Sequence, residues 1–154
     1  MNDLNAEVRT SNAKGYILAV VGMAISVVLQ IVYFNFFGLV NWLDAIVPGI
    51  LAGACIFIGF KLGKGTYTKA FPVMLTVIAV IATILGFVLG VTFFIYNISD
   101  LSVSDAFLVF LDEYLYADIQ GTTFYHSQGI IDFGISTGIA VLIVSAKHYW
   151  EKAD

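Results

Sequence analysis

Charge is what this sequence has least of. Charged residues fill 12% of its 154 positions and hydrophobic ones 60%, against roughly 25% and 45–50% in ordinary soluble domains. A water-soluble chain of this length leaves much of its surface wet, so it could not hide that much apolar side chain. A soluble globular class is excluded on that ground. The formal net charge of −4 leaves no basic stripe for nucleic acid. A single cysteine, Cys55, rules out an intrachain disulfide. The only two prolines, Pro48 and Pro72, fall in the expected first turns of helices, where proline is tolerated, so neither breaks a long segment.

Long apolar runs take the place of the missing charge. Four stretches, 15–37, 45–62, 70–96 and 127–149, approach or exceed the roughly 20 helical residues that cross a hydrocarbon core of about 30 Å. The expected fold class is all-α, a polytopic membrane protein. Residues 1–154 form one membrane domain with four transmembrane helices in an up-down bundle. The first run is longer than a signal-peptide core, and bulky Asn35, Phe36 and Phe37 follow it instead of a small-residue cleavage site, so it is expected to stay attached. Trp42, Tyr67, Tyr96, Tyr125, Tyr149 and Trp150 mark the two interfaces.

Orientation follows from the cations. Arg9 and Lys14 precede the first span; Lys61, Lys64 and Lys69 lie between the second and third; Lys147 and Lys152 close the fourth. All seven fall on one side of the membrane. The other side carries Asp44, Asp100, Asp105, Asp112, Glu113 and Asp118 and no cation. The positive-inside rule then puts the N- and C-termini in the cytoplasm and the protein in a cell membrane, inner or plasma.

The segment 97–126 is the largest piece outside the bilayer. Ser102 is placed to cap a helix, with Asp105 in a first turn that favours negative charge. Val103, Phe107, Phe110, Leu111 and Tyr114 recur at helical spacing. They predict a short amphipathic extracytoplasmic helix across the outer mouth of the bundle. It lacks the Lys and Arg with which interfacial helices grip anionic lipid, so its apolar face is expected on its own bundle or on a partner.

Glycine spacing supplies the packing signal. Gly49, Ala52, Gly53, Gly59 and Gly63 lie within about 120° of one another on the second helix. Gly86–Gly90 and Gly134–Gly138 repeat the four-residue spacing on the third and fourth. Small residues let helix backbones approach closely in lipid. Packing within the bundle is the expected use, and a homo-oligomer face is the alternative.

Asp132 is expected as the only ionisable group within a span, roughly 7–8 Å below its outer end. A carboxylate at mid-membrane costs on the order of 2.5–3.5 kcal/mol and normally turns inward to a partner. Ser136 lies one turn below it, while Gln30, Tyr33 and Thr92 come out at similar depth. Together they define a candidate intramembrane polar layer. It would fix helix register, serve a proton or cation in a small transporter or channel subunit, or line a cleft for a partner.

Chemistry is otherwise thin. The carboxylates from Asp100 to Asp118 lack the tight spacing and fixed glycine of a Ca²⁺ loop. His126 and His148 fall on opposite sides, so no metal site and no cofactor are expected. His126 and Ser127 are adjacent and point apart, with no orienting acid or oxyanion motif, so no enzyme is expected. Lys61-Leu62-Gly63-Lys64-Gly65 lacks phosphate-loop spacing. It reads as a tight cytoplasmic turn in which Gly63 and Gly65 supply positive φ and the lysines meet lipid phosphates.

The run Gly59-Phe60-Lys61-Leu62-Gly63-Lys64-Gly65, leading into an apolar third helix, is similar to a group of small bacterial four-helix integral membrane proteins with no assigned activity. Their last helix opens with Asp followed by Phe or Leu and ends in a basic-aromatic cluster. Asp132-Phe133 and Lys147-His148-Tyr149-Trp150 match those features. The resemblance spans residues 45–150; it implies a bacterial inner membrane and supplies no chemistry. The expected function is a non-enzymatic, partner-binding or accessory membrane protein, immunity-like in kind. Its partners are the bilayer and another membrane or extracytoplasmic protein. The alternative is a small transporter or channel subunit using Asp132.

Overall fold

The computed structural model describes residues 2–39, 43–65, 71–112 and 127–150, and the side chains of 12–39, 43–65, 71–112 and 131–146. Five helices follow in order: α1 (Asn2–Phe37), α2 (Leu43–Leu62), α3 (Phe71–Ile98), α4 (Val103–Val109) and α5 (Ser127–Trp150). Every described element is helical. Asn12–Phe37, Leu43–Leu62 and Phe71–Ile98 are long and apolar enough to cross a membrane, whereas the described apolar part of α5, Ile131–Ala146, is shorter.

The chain's few punctuating residues explain where helices stop. Gly38 takes a φ of +69° just after α1 and its amide donates to the Phe34 carbonyl, closing the last turn. Ser102 caps α4 as the sequence predicts, accepting from the Asp105 amide at 3.2 Å. The turn after α2 departs from expectation. The left-handed residue there is Lys64 (φ +55°), not Gly63 or Gly65. Its amide bonds Lys61 and that of Gly65 bonds Phe60, the paired bonds that end a helix in a left-handed cap.

The long helices pack side by side. α1 packs beside α2 and α3, α5 packs beside the same two, and α2 also meets α3 across the middle. Around the circumference the order is therefore α1, α2, α5, α3. Gly22 lies against Cys55, Gly59 against Leu18 and Gly63 against Gly15, so α1 and α2 run antiparallel in fixed register. Gly49 against Ser136 and Gly53 against Ala140 make α2 and α5 parallel.

Two clusters fill the interior. One runs from Ala19, Ala52 and Ala79 to Phe60, Phe71 and Val144; the other gathers Phe34, Val91, Ile95, Ala106 and Phe110 under α4. α4 therefore lies against α3 with Ala106 and Phe110 inward. The predicted face is corrected by rotation, because Val103 and Phe107 are exposed. The helix also gives way to a π-helical turn at 110–112, and Tyr114 lies outside the described residues.

Outward surfaces are apolar. Phe36 is 82% exposed and Leu62 72%, with Val73 and Ile17 close behind. Soluble monomers rarely expose contiguous apolar area on this scale, and lipid is the solvent that makes it costless.

Candidate functional site

Each expected polar residue can now be located by its contacts. Gln30 is fully buried on the α1–α3 seam, where its Nε2 donates to the Ala82 carbonyl at 3.4 Å. Gly86 makes that possible: a Cβ there would fall on the Gln30 amide. Gly90 leaves room in the same way for the Phe34 ring, which meets Phe87 edge-on at 5.7 Å. Tyr33 belongs to the α1–α2 seam, and its hydroxyl donates to Asp44 Oδ1 at 3.0 Å.

Asp132 is 6% exposed and Ser136 is buried one turn further along α5. Ser136 faces α2, since a Cβ at Gly49 would strike its backbone carbonyl. On the other flank of α5 the Thr137 and Thr83 hydroxyls stand 3.1 Å apart, joining α5 to α3. Thr83 also reaches the Ala79 and Val80 carbonyls at 3.1 and 3.0 Å. A hydroxyl has one proton, so when Thr83 donates to its own helix it is Thr137 that donates to Thr83.

The residues thus share a level without sharing a pocket. Gln30 and Tyr33 serve two different seams of α1, and Ser136 and Thr137 two different seams of α5. Thr92 lies nine residues beyond Thr83, about 13 Å further along α3 and about 180° around it, and is buried at 3% exposure.

The result is a belt of clasps. Every adjacent helix pair carries one: Tyr33–Asp44 for α1–α2, Gln30–Ala82 for α1–α3, Thr83–Thr137 for α3–α5, and Gly49 on the Ser136 carbonyl for α2–α5. Interhelical hydrogen bonds in lipid average about 0.6 kcal/mol each, so the belt sets register more than it supplies stability. Gln30 Oε1, Thr92 Oγ1, Ser136 Oγ and the Tyr16 hydroxyl are buried with no hydrogen-bond partner among the described residues.

No family model matches the chain, and neither a curated protein nor a solved structure does. Geometry alone therefore bears on function.

Two expectations need correction. Asp132 is not the only ionisable residue buried in a span, because α2 begins at Leu43 and carries Asp44 inside it at 4% exposure. Sequence reading had left Asp44 among the outer acids. The signal was its place after a short loop, opposite a tyrosine near the end of α1. Gly134 and Gly138, expected as helix-packing glycines, meet no neighbour among the described residues: both are exposed, and a Cβ at either would meet none of their atoms within 4 Å. Asp132, Ser136, Ala140 and Val144 turn inward at four-residue spacing, which carries Gly134 and Gly138 to the opposite side.

The glycines of α2 stay packed but divide between neighbours. Gly49 and Gly53 face α5, whereas Gly59 and Gly63 face α1. Among the described residues no group of three or more His, Cys, Asp or Glu could hold a metal ion.

Proposed function

We propose that this is a non-enzymatic protein crossing a bacterial inner membrane four times, with both ends cytoplasmic, that binds a partner at its extracytoplasmic end. α5 supplies the fourth crossing: it is 24 residues long, and its outward Ile131, Ile135 and Leu142 are exposed as on the other three spans. The one-sided lysines support the orientation.

The observation that carries the binding function is the surface of α4. Ala106 and Phe110 anchor it to α3, while Val103, Phe107 and Leu108 are exposed beside Asp100, Asp105 and Asp112. An apolar patch rimmed by charge of one sign is the usual form of a protein-binding surface. The buried polar residues hold helices together, which favours an accessory, shielding role over transport.

Photocrosslinking in intact cells tests this. A benzophenone side chain at Phe107 should give a discrete protein adduct that Asp105→Asn with Asp112→Asn weakens, while one at Phe36 should give only lipid adducts. Equal adducts at both positions would overturn the binding surface. In proteoliposomes, a proton-driven flux that vanishes in Asp132→Asn would favour the transporter reading instead. Labelling of a cysteine replacing Lys64 from outside intact cells would overturn the orientation.

A further inference from the structure

The end of the α1–α2 seam opposite Tyr33 and Asp44 is closed by glycine on both sides. Gly15 and Gly63 bring the two backbones into contact: a Cβ on Gly63 would stand 2.5 Å from the Gly15 Cα and 2.6 Å from the Lys14 carbonyl oxygen. Gly65 lies against Gly15 as well, 2.9 Å from where its Cβ would be. Lys14 and Lys64 adjoin these glycines in sequence, and both are exposed. The Lys14 and Lys64 backbones, on different helices, are thereby held at one corner.

Lys64 is the odd choice. It occupies the left-handed position of the α2 cap at φ +55°, between two glycines either of which would suit that conformation better. An L-residue there costs on the order of 1 kcal/mol. The cap thus holds an exposed lysine side chain at a strained position, with glycine on both sides.

The surface beside it says what kind of ligand fits. Leu62, next to Gly63, and Val21, seven residues along from Lys14 on the same stripe of α1, are both exposed and apolar. A ligand seated here meets cations at one end and aliphatic side chains along the membrane-facing groove. We propose that this corner is a binding site for an anionic phospholipid, its phosphate between Lys14 and Lys64 and an acyl chain over Val21 and Leu62.

Lys61 provides an internal control. It is exposed on the same turn but lies about 160° around α2 from both Gly59 and Gly63, on the side away from α1. A general attraction of lysines to anionic membranes would use Lys61 equally, whereas a built site would not.

The test uses the full-length protein in neutral detergent micelles, with phosphatidylglycerol, phosphatidylcholine and inorganic phosphate as probes and native mass spectrometry or thermal shift as readout. Phosphatidylglycerol should bind in preference to phosphatidylcholine. Lys14→Gln and Lys64→Gln should each weaken it on the order of fivefold, and Lys61→Gln should leave it unchanged. Lys64→Gly should raise the melting temperature without lipid and still lose binding, a split that a purely structural role for Lys64 would not give. Equal binding of the two lipids, or an effect of Lys61→Gln as large as that of Lys64→Gln, would overturn the site. Displacement of the lipid by millimolar inorganic phosphate would overturn its identity as a lipid site. The inference takes only the choice of leaflet from the proposed orientation. Micelles have no leaflets, so a wrong orientation would leave these results intact.

Discussion

α2 and α5 carry glycines at the same four-residue spacing, and the two helices use them in opposite ways. On α2, Gly49 and Gly53 admit α5, while Gly59 and Gly63 admit α1; Gly49, Gly59 and Gly63 face a neighbour's backbone too closely for any side chain, and Gly53 faces the Ile143 Cβ. On α5, Gly134 and Gly138 are exposed, with none of the described residues within 4 Å of where a Cβ would stand. Spacing is thus only half of a packing motif; the other half is which side of the helix the rest of the sequence turns inward. α2 has no other polar stripe to settle that question, so its glycines decide. On α5, Asp132 and Ser136 decide, because burying them inside the bundle avoids exposing them to hydrocarbon.

The sharpest way to break this contrast is Gly59→Leu. A Cβ at Gly59 would already overlap the Leu18 carbonyl, a backbone atom that cannot rotate away. The α1–α2 seam would have to open along its length, separating Gly22 from Cys55 and Gly63 from Gly15. Overpacking in a well-filled interior costs about 1–3 kcal/mol where side chains can yield, and here none can. The expected loss exceeds about 3 kcal/mol, measured by denaturant titration in bicelles. A loss below 1 kcal/mol would mean that the seam is not rigid.

Much of this architecture was legible from residue type and order. Helix ends at Phe37 and Leu62 and the Ser102 cap follow from glycine, lysine and serine placement alone. The glycine assignment on α5 failed for a reason that the sequence contained. Gly134 and Gly138 lie 160–200° from Ser136 by helical geometry, so Asp132 and Ser136 inside and both glycines packed inside were incompatible expectations for one bundle. Which polar residues pair across the seams was not recoverable. Partnership depends on how each helix is rotated toward its neighbours, and pairs such as Tyr33–Asp44 and Thr83–Thr137 join segments that no local pattern links.

A smaller effect separates clasp from glycine contact on one seam. Tyr33→Phe removes the hydroxyl that donates to Asp44 and keeps the ring, which stacks on Phe37 at 5.4 Å. Interhelical hydrogen bonds in lipid average about 0.6 kcal/mol and reach about 1.7 kcal/mol, and a carboxylate acceptor belongs above the average. The expected destabilisation is about 1 kcal/mol, well below that of Gly59→Leu on the same pair of helices. A Tyr33→Phe effect as large as Gly59→Leu would show that the polar clasp, and not backbone contact, holds α1 to α2.

The smallest effect completes the comparison. Gly134→Ala and Gly138→Ala, made together, place two methyl groups into open space, while the inward stripe of Asp132, Ser136 and Ala140 is untouched. Substitutions outside a packed interface change stability by less than about 0.5 kcal/mol, and alanine removes some backbone freedom from the unfolded chain. The double variant should therefore match the parent in the same bicelle titration, or exceed it slightly. The matching pair on α2, Gly49→Ala with Gly53→Ala, should cost several times more, because methyl groups there meet the Ser136 carbonyl and Ile143. Equal losses for the two pairs would mean that α5 is rotated about its axis from the arrangement described, and Asp132 would then face outward with it.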